Sequence, residues 1–415
     1  MWGPGFRPMT ALVAAVAVLA ACSDTSAGTS AANQAPATLA LVNGTLIDGT
    51  GNDPIADGVI VIDRERIVAV GASDQLVVPP DTPTVDVDGA TMLPGFINAH
   101  VHDAYNEERL RAWAQGGVTT VRDLGTWVGT GPPPALVAEA CEGNAGCGTA
   151  TEVFAFRDEV NQVPGSARLV AAGPIIGLPR DRHEVRWIME SPEEATQTVN
   201  ALIDDGADLI KLYVTEPSQG DVTTQETATA MVEAAHARGV PVAAHVTRFV
   251  HLPYAVEAGV DDLVHMIMTT LADDLLARVV DEGMYWVPTL ELWQCAADVT
   301  VPSDNLRRFA QAGGNVALGT DFNGFDCDWE LGMPMTEIEL MLEADMTSMQ
   351  IITAATQNGA HVCGMGDELG TLEAGKIADI LVVAGDPLED MQALTVVQMV
   401  VHDGVIIRNE LAGAE

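Results

Sequence analysis

The chain alternates short apolar runs with helix-like stretches through most of its length, and several of those runs end on a polar residue. Eight runs fit this pattern, at residues 91–102, 118–124, 168–172, 209–214, 240–245, 262–265, 285–290 and 316–321. Helical stretches separate most of them, for example 193–205 and 224–238. Repeated β-then-α units specify a parallel sheet, because the crossover must return the chain to the same edge in the same direction. Eight units are the number that closes a TIM-like (β/α)8 barrel, and such a barrel carries its chemistry at the carboxyl ends of its strands. Of the 415 residues 48% are hydrophobic, enough for a barrel core and a smaller second domain.

The polar ends of the runs are chemically alike. His100-Val101-His102 closes the first. On a strand, side chains two apart share a face, so both imidazoles can address one metal ion. A lone His-x-His pair is weak evidence, but four further candidate ligands sit in the same local setting. Lys211 lies within the fourth run, His245 ends the fifth, His265 ends the sixth and Asp321 ends the eighth. Tyr105, His183, Tyr213 and Arg248 fall near strand ends or in the loops that follow them, and are candidate substrate contacts. Residues 126–164 are long and interrupted by Gly and Pro, which predicts a loop over the same face.

The flanks have a different texture. Residues 39–42, 45–48, 58–62 and 66–70 read as short strands punctuated by Gly and Asp, and 379–383, 396–401 and 404–407 match them at the other end. Chain ends often meet, so these pieces are expected to form one β-sandwich beside the barrel. The expected division is 38–93 plus 367–415 for the sandwich and 94–366 for the barrel.

The first residues look like a targeting signal. Arg7 supplies positive charge and residues 11–20 form an apolar stretch too short to span a bilayer. Leu19-Ala20-Ala21-Cys22 follows, which resembles a bacterial lipobox with Cys22 as the lipidated residue. Residues 1–22 are then a lipoprotein signal peptide and 23–37 a flexible Ser/Ala/Thr-rich tether. An ordinary signal peptide with a coincidental cysteine is the alternative, and both readings export the protein to the cell envelope. With 59 acidic against 19 basic residues the net charge is −40, which makes nucleic acid and anionic membrane surfaces poor partners. Membrane contact is expected only through the lipid anchor, and oligomeric state is left open. Export permits disulfides among Cys141, Cys147, Cys295 and Cys327, while Cys363 is expected to be buried.

Taken together, the motifs resemble those of the amidohydrolase superfamily. The resemblance rests on residues 94–102 (PGFINAHVH), 117–125 (GVTTVRDLG), 317–321 (ALGTD) and 369–380 (LGTLEAGKIADI), and spans nearly everything after the tether. Within the superfamily the chain is most similar to the imidazolonepropionase- and prolidase-like branch. The resemblance implies a pair of divalent ions, zinc on the imidazole-rich donor set. His100, His102 and Asp321 would bind the more buried ion, His245 and His265 the second, and Lys211 would bridge both. Burial beside two cations favours the free amine of Lys211, which can take up carbon dioxide to become an anionic, carboxylated bidentate ligand.

The activity implied is metal-dependent hydrolysis of a C–N bond in a small molecule, with Asp321 as the catalytic proton shuttle. A dipeptide or N-acyl amino acid is the expected substrate. A cyclic amide, lactone or aryl amide stands as the alternative, and a non-catalytic binding lipoprotein is a third reading that the complete ligand set disfavours. No Gly-x-Ser-x-Gly elbow or phosphate-binding loop competes for the chemistry.

Overall fold

A computed structural model describes residues 37–125, 150–176, 189, 191–214, 224–324, 327, 329 and 331–411. Two kinds of sheet organise them. Both ends of the chain build one mostly antiparallel sheet: β1 (Leu39–Leu46), β2 (Ile55–Asp63), β3 (Arg66–Ala72), β4 (Thr84–Asp86) and β5 (Thr91–Pro94) from the first flank, and β14 (Ile380–Val383), β15 (Val397–His402) and β16 (Val405–Asn409) from the second. Its order is β16-β15-β14-β5-β1-β2-β3, with β4 against β1. The seam between the flanks is β5 against β14, paired Ile380↔Pro94 through Val383↔Thr91. Hydrogen bonds thus join all eight strands into one continuous sheet. Alternation along the strands sorts its apolar side chains by face. Leu41, Ile60, Ile62, Ile380, Val382, Met399 and Val401 meet in one core, while Leu93, Leu381, Val383 and Val400 point the other way into the main core.

The expected first strand, 91–102, is two strands. Gly95 divides it, so β5 belongs to the flanking sheet and β6 (Phe96–Val101) begins the parallel part. β6, β7 (Val118–Asp123) and β8 (Arg168–Ala171) form one parallel sheet. β9 (Ile210–Tyr213), β10 (Val242–His245), β11 (Asp262–Val264), β12 (Tyr285–Val287) and β13 (Asn315–Val316) form a second, in sequence order. Helices link the strands, so each connection is the crossover that parallel pairing demands. Their ends carry the expected local chemistry. Ser191 caps the helix Pro192–Asp205 by accepting from Glu194 N, and left-handed Gly206 ends it.

Contacts run between the two parallel sheets at both edges. Ile176 bridges Leu212 beside β9, and Tyr213 N donates to Ile176 O at 3.0 Å. On the other side Ala99 N donates to Leu318 O at 2.8 Å and Val101 bridges Phe322. Gly319 is what allows that second approach: a Cβ there would lie 2.8 Å from His100 N and 2.5 Å from Val287 Cγ1. Between the sheets Ile97, Ala99, Val170, Leu209, Ala243, Val264, Val287 and Ala317 form a separate apolar cluster. The seventh and eighth runs are strands for less of their length than the sequence pattern suggests, because β12 turns at Thr289 into a helix and β13 ends at Val316. Residues 150–160 of the expected long loop are helical, and 126–149 lie outside the described residues. Among the described residues no helix is long and apolar enough to cross a membrane.

Candidate metal centre

His100, His102, His245 and His265 come from the carboxyl ends of β6, β10 and β11, Lys211 from within β9, and Asp321 from the segment after β13. His100 and His102 do share a side: their Nε2 atoms are 3.3 Å apart. Asp321 Oδ1 lies 3.0 Å from each of them. His265 Nδ1 is 3.8 Å from Asp321 Oδ2, and its ring centroid is 4.9 Å from that of His100. His245 packs edge-on to His265 at 4.4 Å. One ligand atom each from His100, His265 and Asp321 falls within a 4.8 Å group.

Backbone geometry aims these groups. His265, Thr289 and Asp321 all adopt left-handed φ values, 71°, 50° and 64°, the first two just past the ends of β11 and β12 and the third at the end of the eighth run. Such conformations cost on the order of 1–3 kcal/mol for non-glycine residues and concentrate at functional sites. At His265 the turn brings inward a side chain that alternation from Val264 would send the other way. Backbone bonds hold the turn at Asp321, whose N donates to His100 O at 2.9 Å.

Neighbouring groups orient the rings. His102 Nδ1 lies 2.7 Å from Gly125 O, and a carbonyl only accepts, so Nδ1 carries a proton and Nε2 faces Asp321. The Thr289 hydroxyl lies 2.9 Å from His265 Nδ1. Ligating imidazoles are commonly fixed through their other nitrogen in this way.

The electrostatics suit cation binding. Burial holds His100 and His245 well below the usual imidazole range. It takes His265 to about 3, so these rings are neutral and their lone pairs are free. Burial would raise Asp321, but the imidazoles of His100 and His265 and the contacts from His100 and His102 bring it well below the ordinary carboxylate value. Burial lowers His102 too, and its contact with Asp321 more than reverses that, leaving it raised. The raised His102 pKa favours a proton where nitrogen and oxygen lone pairs crowd together, and a divalent ion held by these donors would compete with it, as expected at a metal site. Lys211 is 2% exposed and its Nζ has no hydrogen-bond partner. Burial, opposed by Asp321, lowers its pKa to about 7. With a pKa of about 7 the amine is substantially deprotonated at neutral pH, and unpartnered it is free to act as a nucleophile or ligand.

The proposed substrate contacts divide. Tyr213 is half-buried and stacks on His245 at 3.9 Å and 15°, which puts it beside the ligands. Arg248 is exposed on the loop after β10. Tyr105 is fully buried in the main core, edge-on to Phe156 at 6.1 Å, and its hydroxyl has no hydrogen-bond partner. His183 and Cys22 lie outside the described residues, as do Cys141 and Cys147. Cys295 and Cys327 form a disulfide with Cα atoms 6.0 Å apart, and Cys363 is buried and free.

Sequence reasoning missed several supporting groups. Thr289 gives no signal, since only its backbone conformation places the hydroxyl. Glu337 is fully buried and accepts from Leu290 N at 3.0 Å and Glu291 N at 2.6 Å, fixing the start of the helix Leu290–Ala296. That helix presents Trp293 edge-on to His265 at 5.9 Å. Arg122 and Asp262 form a fully buried pair. Arg122 is conspicuous in the sequence as a charge inside an apolar run, but its partner is 140 residues away.

The comparisons with known proteins agree with this geometry. The amidohydrolase family model matches residues 91–407. An imidazolonepropionase from Symbiobacterium thermophilum is 26% identical over 368 residues, covering 80% of this chain and 84% of that protein. A 5-methylthioadenosine/S-adenosylhomocysteine deaminase from Syntrophobacter fumaroxidans is 28% identical over 389 residues, 84% of each. Among solved structures, a Xaa-Pro dipeptidase with bound methionine superposes with a TM-score of 0.70 at 25% identity, covering 89% of this chain and 99% of that one. With the family model spanning most of the chain, the protein belongs to the amidohydrolase family and is a metal-dependent hydrolase acting on carbon–nitrogen bonds.

Proposed function

We propose that this is an exported, lipid-anchored binuclear amidohydrolase that cleaves the amide bond of a dipeptide or N-acyl amino acid. The observation that carries the reading is the convergence of His100, His102 and Asp321 within 3.3 Å, beside a buried and unpartnered Lys211. In this reading the bridges at Ile176 and Phe322 close the two parallel sheets into an eight-stranded barrel. The mouth of the barrel is then where the six ligands meet.

His100, His102 and Asp321 would hold one zinc ion, His245 and His265 the other, and carboxylated Lys211 would bridge them. Bound there, divalent ions supply Lewis acidity toward a carbonyl oxygen and make a nearby water more acidic. The protein's own part is positional and protonic. Gly125 O and the Thr289 hydroxyl hold two imidazoles in place. Asp321, kept ionised by its imidazole neighbours, accepts the proton of the attacking water and returns it to the leaving nitrogen. Tyr213, half-exposed against His245, is the side chain best placed to touch substrate.

The dipeptidase neighbour favours a linear amide. The imidazolonepropionase relatives favour the second reading, a cyclic amide, with a lactone or aryl amide in the same class. Elemental analysis of purified protein, together with turnover on panels of dipeptides, N-acyl amino acids and cyclic amides, tests both. About two ions per chain and a preference for linear amides are expected. One ion or none at full activity overturns the binuclear reading, and a preference for rings replaces the substrate class.

A further inference from the structure

Beneath the candidate ligands lies an ion pair that takes no part in the chemistry. Arg122 and Asp262 are both completely buried. The guanidinium meets the carboxylate through a two-bonded fork, Nη1 to Oδ1 at 2.9 Å and Nη2 to Oδ2 at 2.8 Å. Its remaining donors reach two main-chain carbonyls: Nε to Ala99 O at 2.6 Å and Nη1 to Val362 O at 2.7 Å.

Each of those partners is attached to a ligand. Ala99 precedes His100 on β6. Asp262 opens β11, which ends one residue before His265. Val362 closes the helix Gln357–Val362, and Asn358 of that helix donates to Val316 O on β13 at 2.7 Å. Asp262 also pairs in register with Ala243, which pairs with Lys211, so the carboxylate and the lysine share one level of the sheet. A single guanidinium therefore links β6, which carries His100, to β11, which leads into His265, across the two parallel sheets, and reaches β13 through the helix Gln357–Val362.

Stability alone does not account for the pair. A buried ion pair is commonly no more stabilising than apolar side chains of the same volume, because desolvation offsets the attraction. What an apolar pair lacks is direction. A planar fork with four bonds at fixed angles admits one spacing of the elements it joins.

We infer that Arg122 and Asp262 are positioning residues that set the distance between the two halves of the metal centre. The inference rests on the binuclear reading above. The test is the double variant Arg122→Met/Asp262→Leu, which keeps volume and removes both charges. Its folding is followed by thermal unfolding, its metal content by elemental analysis, and its ligand geometry by the visible spectrum of the cobalt-substituted protein. A cooperative transition should persist. Zinc affinity at the His245/His265 half should fall about 10- to 100-fold, the usual scale for groups that orient ligands, and the cobalt bands should shift. Arg122→Lys supplies a second reading in a protein that keeps the charge but loses the fork. It should also weaken the second ion and leave the first in place. Folded double variant with both ions at wild-type affinity overturns the inference. If the double variant fails to fold, wild-type affinity for the second ion in Arg122→Lys overturns it instead. Wild-type protein that never binds a second ion overturns the binuclear reading itself, whatever the variants do.

Discussion

Lys211 makes an opposite-signed prediction for metal-free and metal-loaded protein. In the metal-free protein burial, against the attraction of Asp321, lowers its pKa from 10.5 to about 7. Between those values the unfolded chain holds a proton that the folded chain does not, so stability rises with pH across the window from about 7 to 10.5 and is lowest below it. The shift is about 3.5 units, and at about 1.36 kcal/mol per unit it corresponds to on the order of 5 kcal/mol. Lys211→Met keeps most of the apolar stem and removes the titrating group. After chelation, in buffer depleted of carbon dioxide, the variant should be more stable than wild type near pH 7 by a few kcal/mol. That advantage should shrink steadily toward pH 10. With zinc and bicarbonate restored the order should reverse, because only wild type gains the stabilisation of a bound ligand. Urea unfolding followed by far-ultraviolet circular dichroism measures each case. A metal-free variant no more stable than wild type at pH 7, or an advantage that does not change with pH, refutes the reasoning. The lysine would then be solvated or partnered in solution and poorly suited to carboxylation.

Four further outcomes are expected. Asp321→Asn should lower turnover about a hundredfold while Michaelis constant and metal content change little, since it removes a base and keeps an oxygen; near-normal turnover assigns the proton to another group. Gly319→Ala should cost about 1–3 kcal/mol in thermal unfolding and reduce metal affinity, because its Cβ would push on His100 N at 2.8 Å; wild-type affinity would mean that β6 and the eighth run can separate freely. Replacing Cys295 and Cys327 by serine opens a bridge spanning 32 residues and should lower stability by up to about 3–4 kcal/mol; unchanged urea midpoints with and without reductant would show that the bridge does not constrain the unfolded chain. Cys22→Ser should move the expressed protein from the membrane fraction to the soluble one, and continued membrane association would remove the lipid anchor from the reading.

What the sequence made legible is what alternation and strand-end position encode. His100, His102, His245 and His265 could be read because each lies at or near the end of an apolar run; the structure places three of them around Asp321 and His245 against His265. The flanking sheet was legible as strands but not as one sheet, because the seam between β5 and β14 joins segments 286 residues apart at Ile380↔Pro94 and leaves no local mark. Tyr105 shows how much depends on the turn. It follows a ligand-bearing strand, as a substrate contact would, and past the turn at Asp103, whose φ is 54°, its ring is fully buried. Which side of a strand end a residue faces depends on that turn, and a single dihedral is invisible in composition or spacing.

The same dihedral is what completes the site. His265 sits where strict alternation would send it astray: Val264 faces the apolar cluster between the sheets, so its successor should face the helices. Left-handed backbone at His265 reverses that assignment, and the same device at Thr289 and Asp321 supports the orienting hydroxyl and the carboxylate. A strained strand end is unstable unless its surroundings hold it. Here the holding groups are Trp286, whose indole N–H donates to His265 O at 2.8 Å, and His100, whose carbonyl accepts from Asp321 N. The pattern of hydrophobic residues therefore builds the scaffold, and a small set of polar bonds to main-chain atoms turns its strand ends inward. Loss of Trp286 Nε1 should accordingly disturb metal binding although the side chain touches no ligand atom proposed to hold the ion.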